Sequence, residues 1–183
     1  METAVADTSA LVSLAVPSAD DTYDVDENPD PLQYLLTSCS VYVPEEVVAE
    51  LEDIAQYSDI HATAAANVLS AQEYYTVEDP YLIEGAPDER PTFGLDDGET
   101  DGIVLTNQLS VDAFLTDEFG SNNFALIHAA LEGPRLVPSP RLIRDYALGG
   151  HMSTDEAREL IEWIGKHRSW EGNPYVELLL DSL

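Results

Sequence analysis

Two aspartates in this sequence stand where apolar runs end: Thr3 to Ala6 stops at Asp7, and Ala113 to Thr116 stops at Asp117. Both runs read as strands, and parallel sheets gather ligands outside the carboxyl ends of their strands. Two glutamates, Glu50 and Glu99, fall at the borders of apolar helix faces rather than on solvated ones. Four carboxylates tied to buried elements repel one another unless a cation neutralises them. Oxygen donors of this kind suit Mg2+ or Mn2+. A pair of such ions about 3.5–4 Å apart can activate a water and stabilise the leaving oxygen in phosphodiester cleavage. Each acid also has a plainer role open to it. Asp7 can simply cap a helix, and Glu99 can sit in a first turn where the helix dipole favours it. Glu50 can be a solvated helix residue, and Asp117 a turn residue after a strand.

The elements that must position these acids are legible in outline. Ala10 to Val16 reads as a helix capped by Asp7 or Ser9, and Pro17 to Pro31 as an acidic solvated loop. A short helix over Leu32 to Leu36 and a strand over Ser40 to Val43 follow. From Glu45 to Tyr57, Val47, Val48, Leu51, Ile54 and Ala55 fall on one helical face, with Glu50 at its border. Ala62 to Gln72 is helical, and Tyr74 to Val77 and Tyr81 to Ile83 are strand candidates. A helix over Glu99 to Leu109 is buried on most sides, and Asn122 to Leu131 is another helix before a strand at Leu136 to Pro138. This alternation predicts an α/β fold, a three-layer α/β/α sandwich on a central parallel sheet. From Ser139 onward the chain is helical, with a Gly149-Gly150 break and a capping box over Ser153 to Glu156. The expected division is 1–138 for the sheet-bearing domain and 139–183 for a C-terminal helical extension.

Four segments resemble a known family. Ala6-Asp7-Thr8-Ser9-Ala10-Leu11 resembles the opening of PIN-domain nucleases, and Val43-Pro44-Glu45-Glu46-Val47-Val48-Ala49-Glu50-Leu51 resembles their second segment. Gly98-Glu99-Thr100-Asp101-Gly102-Ile103 is similar to the Gly-Glu-x-Glu-Ala-Ile signature of a prokaryotic VapC-like subgroup. Phe114-Leu115-Thr116-Asp117-Glu118 resembles the apolar strand of that subgroup, which ends in two acids. The resemblance implies a PIN-like domain and a divalent-metal-dependent endoribonuclease, the toxin of a toxin–antitoxin pair. It implies Asp7, Glu50, Glu99 and Asp117 as catalytic metal ligands for Mg2+ or Mn2+. Ser9 would support the site by hydrogen bonding. Asp101 and Glu118 would stand behind the ligands, since Asp101, two residues past Glu99 on a helix, points to a different side. Plainer readings stay open for Ser9 as a helix cap and for Asp101 as a solvated residue. The expected partners are an RNA substrate, an antitoxin protein and a second copy of the chain in a homodimer. In one respect the chain departs from the subgroup: the run from Glu118 to Ala125 holds no base where a basic residue is usual.

The 183 residues include 36 Asp and Glu against 7 Lys and Arg, a formal net charge of −29. The hydrophobic fraction, 44%, is ordinary for a globular chain and argues against disorder. Such charge excludes the basic whole-surface footprint of nucleic-acid binders, but not a nucleic acid held through metal ions. Residues 1–134 carry 28 acids and one base, Arg90, whereas residues 135–183 carry 8 acids and 6 bases. A coat this acidic and this poor in lysine suits a halophilic protein, because in molar salt the Debye length falls to about 3 Å. The late bases read either as phosphate contacts or as ion pairs on helices. The four histidines lack zinc spacing, and Trp163 and Trp170 suit either base stacking or packing. Cys39 is the only cysteine, so no internal disulfide forms and a reducing, cytoplasmic setting is expected. No run approaches the 18 apolar residues of a membrane span, and the first residues lack the features of a signal peptide.

Overall fold

Alternate residues of the short strands go to opposite faces of one sheet. The computed structural model describes residues 1–25, 27–120 and 123–183. Its five strands are β1 (Thr3–Ala6), β2 (Ser40–Pro44), β3 (Thr76–Glu78), β4 (Ala113–Leu115) and β5 (Arg135–Val137). All pair in parallel, in the order β3-β2-β1-β4-β5. On one face Ala4, Ala6, Val41, Val43, Ala113, Leu115 and Val137 enter the larger core. On the other, Val5, Phe114 and Leu136 enter a smaller one. Burial on both faces is what an all-parallel sheet requires, and it explains why the strands read as continuous apolar runs.

The described residues form nine helices, and the two faces share them unequally. Against the larger core pack α1 (Thr8–Ala19), α2 (Pro31–Ser38), α3 (Glu45–Ile54), α4 (Ile60–Ser70), α7 (Ser139–Leu148), α8 (Thr154–Arg168) and α9 (Pro174–Asp181). The smaller core is covered by α5 (Asp97–Leu109) and α6 (Asn123–Ala130). The architecture is the expected three-layer α/β/α sandwich. Residues 139–183 have no core of their own: Ile143, Leu160, Ile164, Trp170 and Val176 share the larger core with β1 and α1.

Several elements differ from the sequence reading. Helix α1 runs through Pro17 to Ala19, because Pro17 is buried and its ring removes only one bond near the helix end. Tyr81 to Ile83 is a turn, not a strand: the Asp79 carboxylate accepts the Tyr81 N–H at 2.9 Å and competes with any ladder. Helix α3 ends at Ile54 rather than Tyr57. The start of the helix expected from Asn122, and part of the base-free run around it, lie outside the described residues. No helix among the described residues is long and apolar enough to cross a membrane.

The strand order reverses beside β1: β2 lies on one side of it and β4 on the other. Ala6 pairs with Leu115, so Asp7 and Thr116 leave the ends of neighbouring strands side by side. A crevice opens at such a switch point because the two connecting chains turn to opposite faces.

Candidate functional site

At this switch point lies a pocket of about 380 Å3, lined in part by Asp7, Thr8, Ser9, Glu50, Asp96, Glu99, Glu118 and Arg168. Asp7 follows β1 and caps α1. Its Oδ2 accepts the Ser9 hydroxyl at 2.7 Å, the Thr116 hydroxyl at 3.2 Å and the Ser9 N–H at 3.3 Å. The carboxyl is buried, and burial raises its pKa above the usual range, helped by the negative Asp96 nearby. Its role as a cap and its place in the pocket are the same geometry seen from two sides.

Glu50 comes from the middle of α3. The Thr8 hydroxyl donates to its Oε2. Its carboxylate lies against the first turn of α5, over Gly98, where a Cβ would stand 2.9 Å from Oε2. Anions are favoured at such a helix start, where N–H groups lack intrahelical partners. Desolvation nevertheless raises the Glu50 pKa, as do Asp7, Asp96 and Glu46.

Glu99 is the third residue of α5 and forms a capping box with Asp96. The Glu99 N–H donates to Asp96 Oδ1 at 2.8 Å, and the Asp96 N–H donates to Glu99 Oε2 at 3.3 Å. The Asn123 amide also donates to both Glu99 oxygens at 3.3 Å. Burial, then the charge of Asp96, pushes the Glu99 pKa up to about 7.

Asp117 does not join these three. Its Oδ1 accepts the Ser139 N–H at the start of α7 at 2.7 Å, and its Oδ2 is buried without a hydrogen bond. Burial raises its pKa to about 6, against the opposing pull of Ser13, Ser139 and Arg168. Only its backbone touches the site, through an N–H that donates to Ser9 Oγ at 2.9 Å. Glu118 lines the pocket instead, and its charge contributes to the raised Glu99 pKa. The chain has left the strand here: β4 ends at Leu115, and a 3-10 turn opens at Glu118. The Ser139 N–H at the start of α7 holds the Asp117 carboxylate away from the pocket, while Glu118 lines it.

Asp101 is neither solvated nor part of the pocket lining. It is 3% exposed, and Arg90 grips both of its oxygens, at 2.9 Å from Nε and 2.8 Å from Nη2. Tyr81 donates to the same carboxylate, and Arg90 also pairs with Glu46 at 3.1 Å and Asp97 at 2.6 Å. The only base of the first 134 residues is thus spent on tying the loop before α5 to α3 and α5. Ser9 holds Asp7 as expected. The residues that the sequence reading passed over are Asp96, Asn123 and Thr8, while Arg168 was read only as one of six late bases. Asp96-x-x-Glu99 carried a readable signal, being a capping box immediately before an apolar run.

The donor chemistry fits a hard divalent cation, since carboxylate oxygens from four separate elements face one pocket. Among the described residues, however, no three His, Cys, Asp or Glu side chains are grouped so as to hold a metal ion. Each carboxylate is instead held by its own donors: Asp7 by Ser9 and Thr116, Glu50 by Thr8, and Glu99 by Asn123 and the Asp96 N–H. No protein-family model, curated protein or solved structure matches the chain.

Proposed function

We propose that the protein is a divalent-metal-dependent endoribonuclease, with Asp7, Glu50, Glu99 and Glu118 as the carboxylates that bind Mg2+ or Mn2+. The observation that carries this reading is their meeting in one pocket at the strand-order reversal, three of them with raised pKa values. Carboxylates whose charged forms are disfavoured by burial and mutual repulsion are groups that a cation would favour in the charged form. The resemblance of the segments around Asp7, Glu50, Glu99 and Asp117 to PIN-domain nucleases supports the same chemistry, with Glu118 taking the position assigned to Asp117. The resemblance also brings in an antitoxin protein as a partner, which co-purification from the native cell would capture.

A bound cation would polarise water and offset the charge that develops on the phosphate. The chain's own residues supply the orientation. Ser9 and Thr116 fix the rotamer of Asp7 from behind, as outer partners of ligands do. Thr8 fixes Glu50, and the capping box fixes Glu99 to the helix start. Tyr57, 74% exposed, stands at the same pocket, where a base leaving the stack could rest.

The second reading is a PIN-like module without catalysis that acts through protein or RNA binding. That no three of the described His, Cys, Asp or Glu side chains are grouped to hold a metal ion favours it. Cleavage of an RNA panel in molar KCl, with Mn2+ or with a chelator, separates the two. The ribonuclease reading expects Mn2+-dependent cleavage that Asp7→Asn abolishes. Metal-independent cleavage, or none on any RNA, would remove it.

A further inference from the structure

Arg168 is the last residue of α8, and its side chain lines the carboxylate pocket. It is the only Lys or Arg among the described residues that do so. Its position is fixed from both ends. Beyond it, Ser169 adopts the left-handed conformation (φ 57°), and the Trp170 N–H closes the helix on Gly165 O at 3.0 Å. Trp170 itself is buried in the larger core, 5.8 Å from the Phe119 ring. At the other end, Arg168 Nε donates to Ser13 Oγ at 2.9 Å and Nη2 donates to Ser9 O at 3.3 Å. Those bonds use the inner side of the guanidinium, and Nη1 makes none among the described residues.

Electrostatics makes this unusual. A guanidinium beside several carboxylates ordinarily forms a bidentate pair with one of them. Arg90 does so with Asp101. Among the described residues Arg168 forms no ion pair within 4.0 Å, although Asp7, Glu50, Glu99 and Glu118 line the same pocket. Ser9 and Ser13 hold it against the wall of α1, short of the acids. Its charge also acts on the buried Asp117, but a guanidinium in no ion pair within 4.0 Å among the described residues, with Nη1 free of hydrogen bonds to them at an acidic pocket, matches a phosphate shared between it and cations on the acids.

We propose that Arg168 contacts a non-bridging oxygen of the phosphodiester being cleaved. The C-terminal helices thereby supply the phosphate-binding base that is missing from the run after Asp117. The proposal rests on the ribonuclease reading and adds to it the residue that holds the substrate phosphate.

The test compares wild type with Arg168→Ala, Arg168→Lys and Arg168→Gln in molar KCl. Gln places an amide N–H near the Nε position, so it keeps a donor toward Ser13 while removing the charge. Circular dichroism melts establish folding, calorimetric titration with Mn2+ reports the carboxylates, and RNA cleavage reports the contact. The expected result is unchanged Mn2+ affinity for Arg168→Gln with cleavage down about 100-fold or more, the usual scale for a transition-state donor. Arg168→Lys should recover part of the rate, and millimolar guanidinium should partly rescue Arg168→Ala. Loss of this one phosphate contact in Arg168→Gln should also lower the salt slope of RNA binding by about one. Wild-type rates in Arg168→Gln would overturn the proposal and leave the ribonuclease reading standing. Equal loss of Mn2+ affinity and cleavage in Arg168→Gln would also overturn it, by making Arg168 a support of the carboxylates. Absence of Mn2+-dependent cleavage by the wild type removes both.

Discussion

The Glu50 carboxylate occupies the space over Gly98 that a side chain would fill: a Cβ there would lie 2.9 Å from Glu50 Cδ and from Oε2. Alanine favours helices over glycine by about 1 kcal/mol, yet Gly98→Ala has to push the Glu50 carboxyl out of its seat. The expected outcome is a Mn2+ affinity lowered by about 10- to 100-fold, the scale for displaced supports of a metal ligand, with little change in melting temperature. Calorimetric titration and a thermal melt on the same sample check it.

Glu118 and Asp117 make opposite predictions. Asp117→Asn keeps an oxygen to accept the Ser139 N–H and leaves the pocket lining untouched. It should retain cleavage within a few fold. Glu118→Gln removes a charge that faces Glu99, and cleavage should fall by about 100-fold. Rates measured side by side with Mn2+ decide between the two acids, and the reverse order would restore Asp117 to the site.

The raised carboxylates dictate a sign for pH dependence. In the folded chain Glu99 titrates at about 7 and Asp117 at about 6, with burial the first cause, while their ordinary values are 4.5 and 3.8. Between those limits the folded state binds more protons than the unfolded one, so stability falls as pH rises. Without divalent ions, melting temperature should therefore decline from pH 5 to pH 8. Glu99→Gln should flatten the decline, and Mn2+ should reduce it by holding the charged forms. A wild-type melt that rises with pH over this range would contradict the assignment.

Arg90 neutralises Asp101, whose side chain is 4% exposed. Arg90→Ala leaves that carboxylate buried with only the Tyr81 hydroxyl to bond it, which costs about 3 kcal/mol, the low end for a broken buried pair because Arg90 itself is 34% exposed. Arg90→Ala combined with Asp101→Asn should recover most of the loss. Chemical denaturation of the two single variants and the double variant closes the cycle.

The acidic coat predicts dependence on salt. With a net charge of −29, self-repulsion should unfold the chain in dilute buffer, and molar KCl should refold it by screening. Far-ultraviolet circular dichroism through a salt titration measures this, and a flat signal would count against it.

The sheet and its order of elements were legible because buried parallel strands are written as short apolar runs bounded by turn residues, as at Thr3–Ala6 and Ala113–Leu115. Asp7, Glu50 and Glu99 could be placed from the ends of such runs and the borders of helix faces. Which of Asp117 and Glu118 lines the pocket was not legible, because both lie past the end of β4, where a 3-10 turn replaces the strand period. The partner of Asp101 was out of reach, since Arg90 lies in a loop whose path no periodicity records. Arg168 was out of reach for a related reason. Its place beside Ser9 depends on how α8 crosses α1, which is set by packing around Trp170 and Ile164 and not by any local pattern.

That crossing also sets a timetable. The strands and helices that carry Asp7, Glu50, Glu99 and Glu118 all precede residue 139 in the chain, while one wall of their pocket arrives with Arg168. A protein made from its N-terminus therefore emits all four carboxylates before the guanidinium that walls their pocket, and the larger core is complete only when α7, α8 and α9 have docked on it.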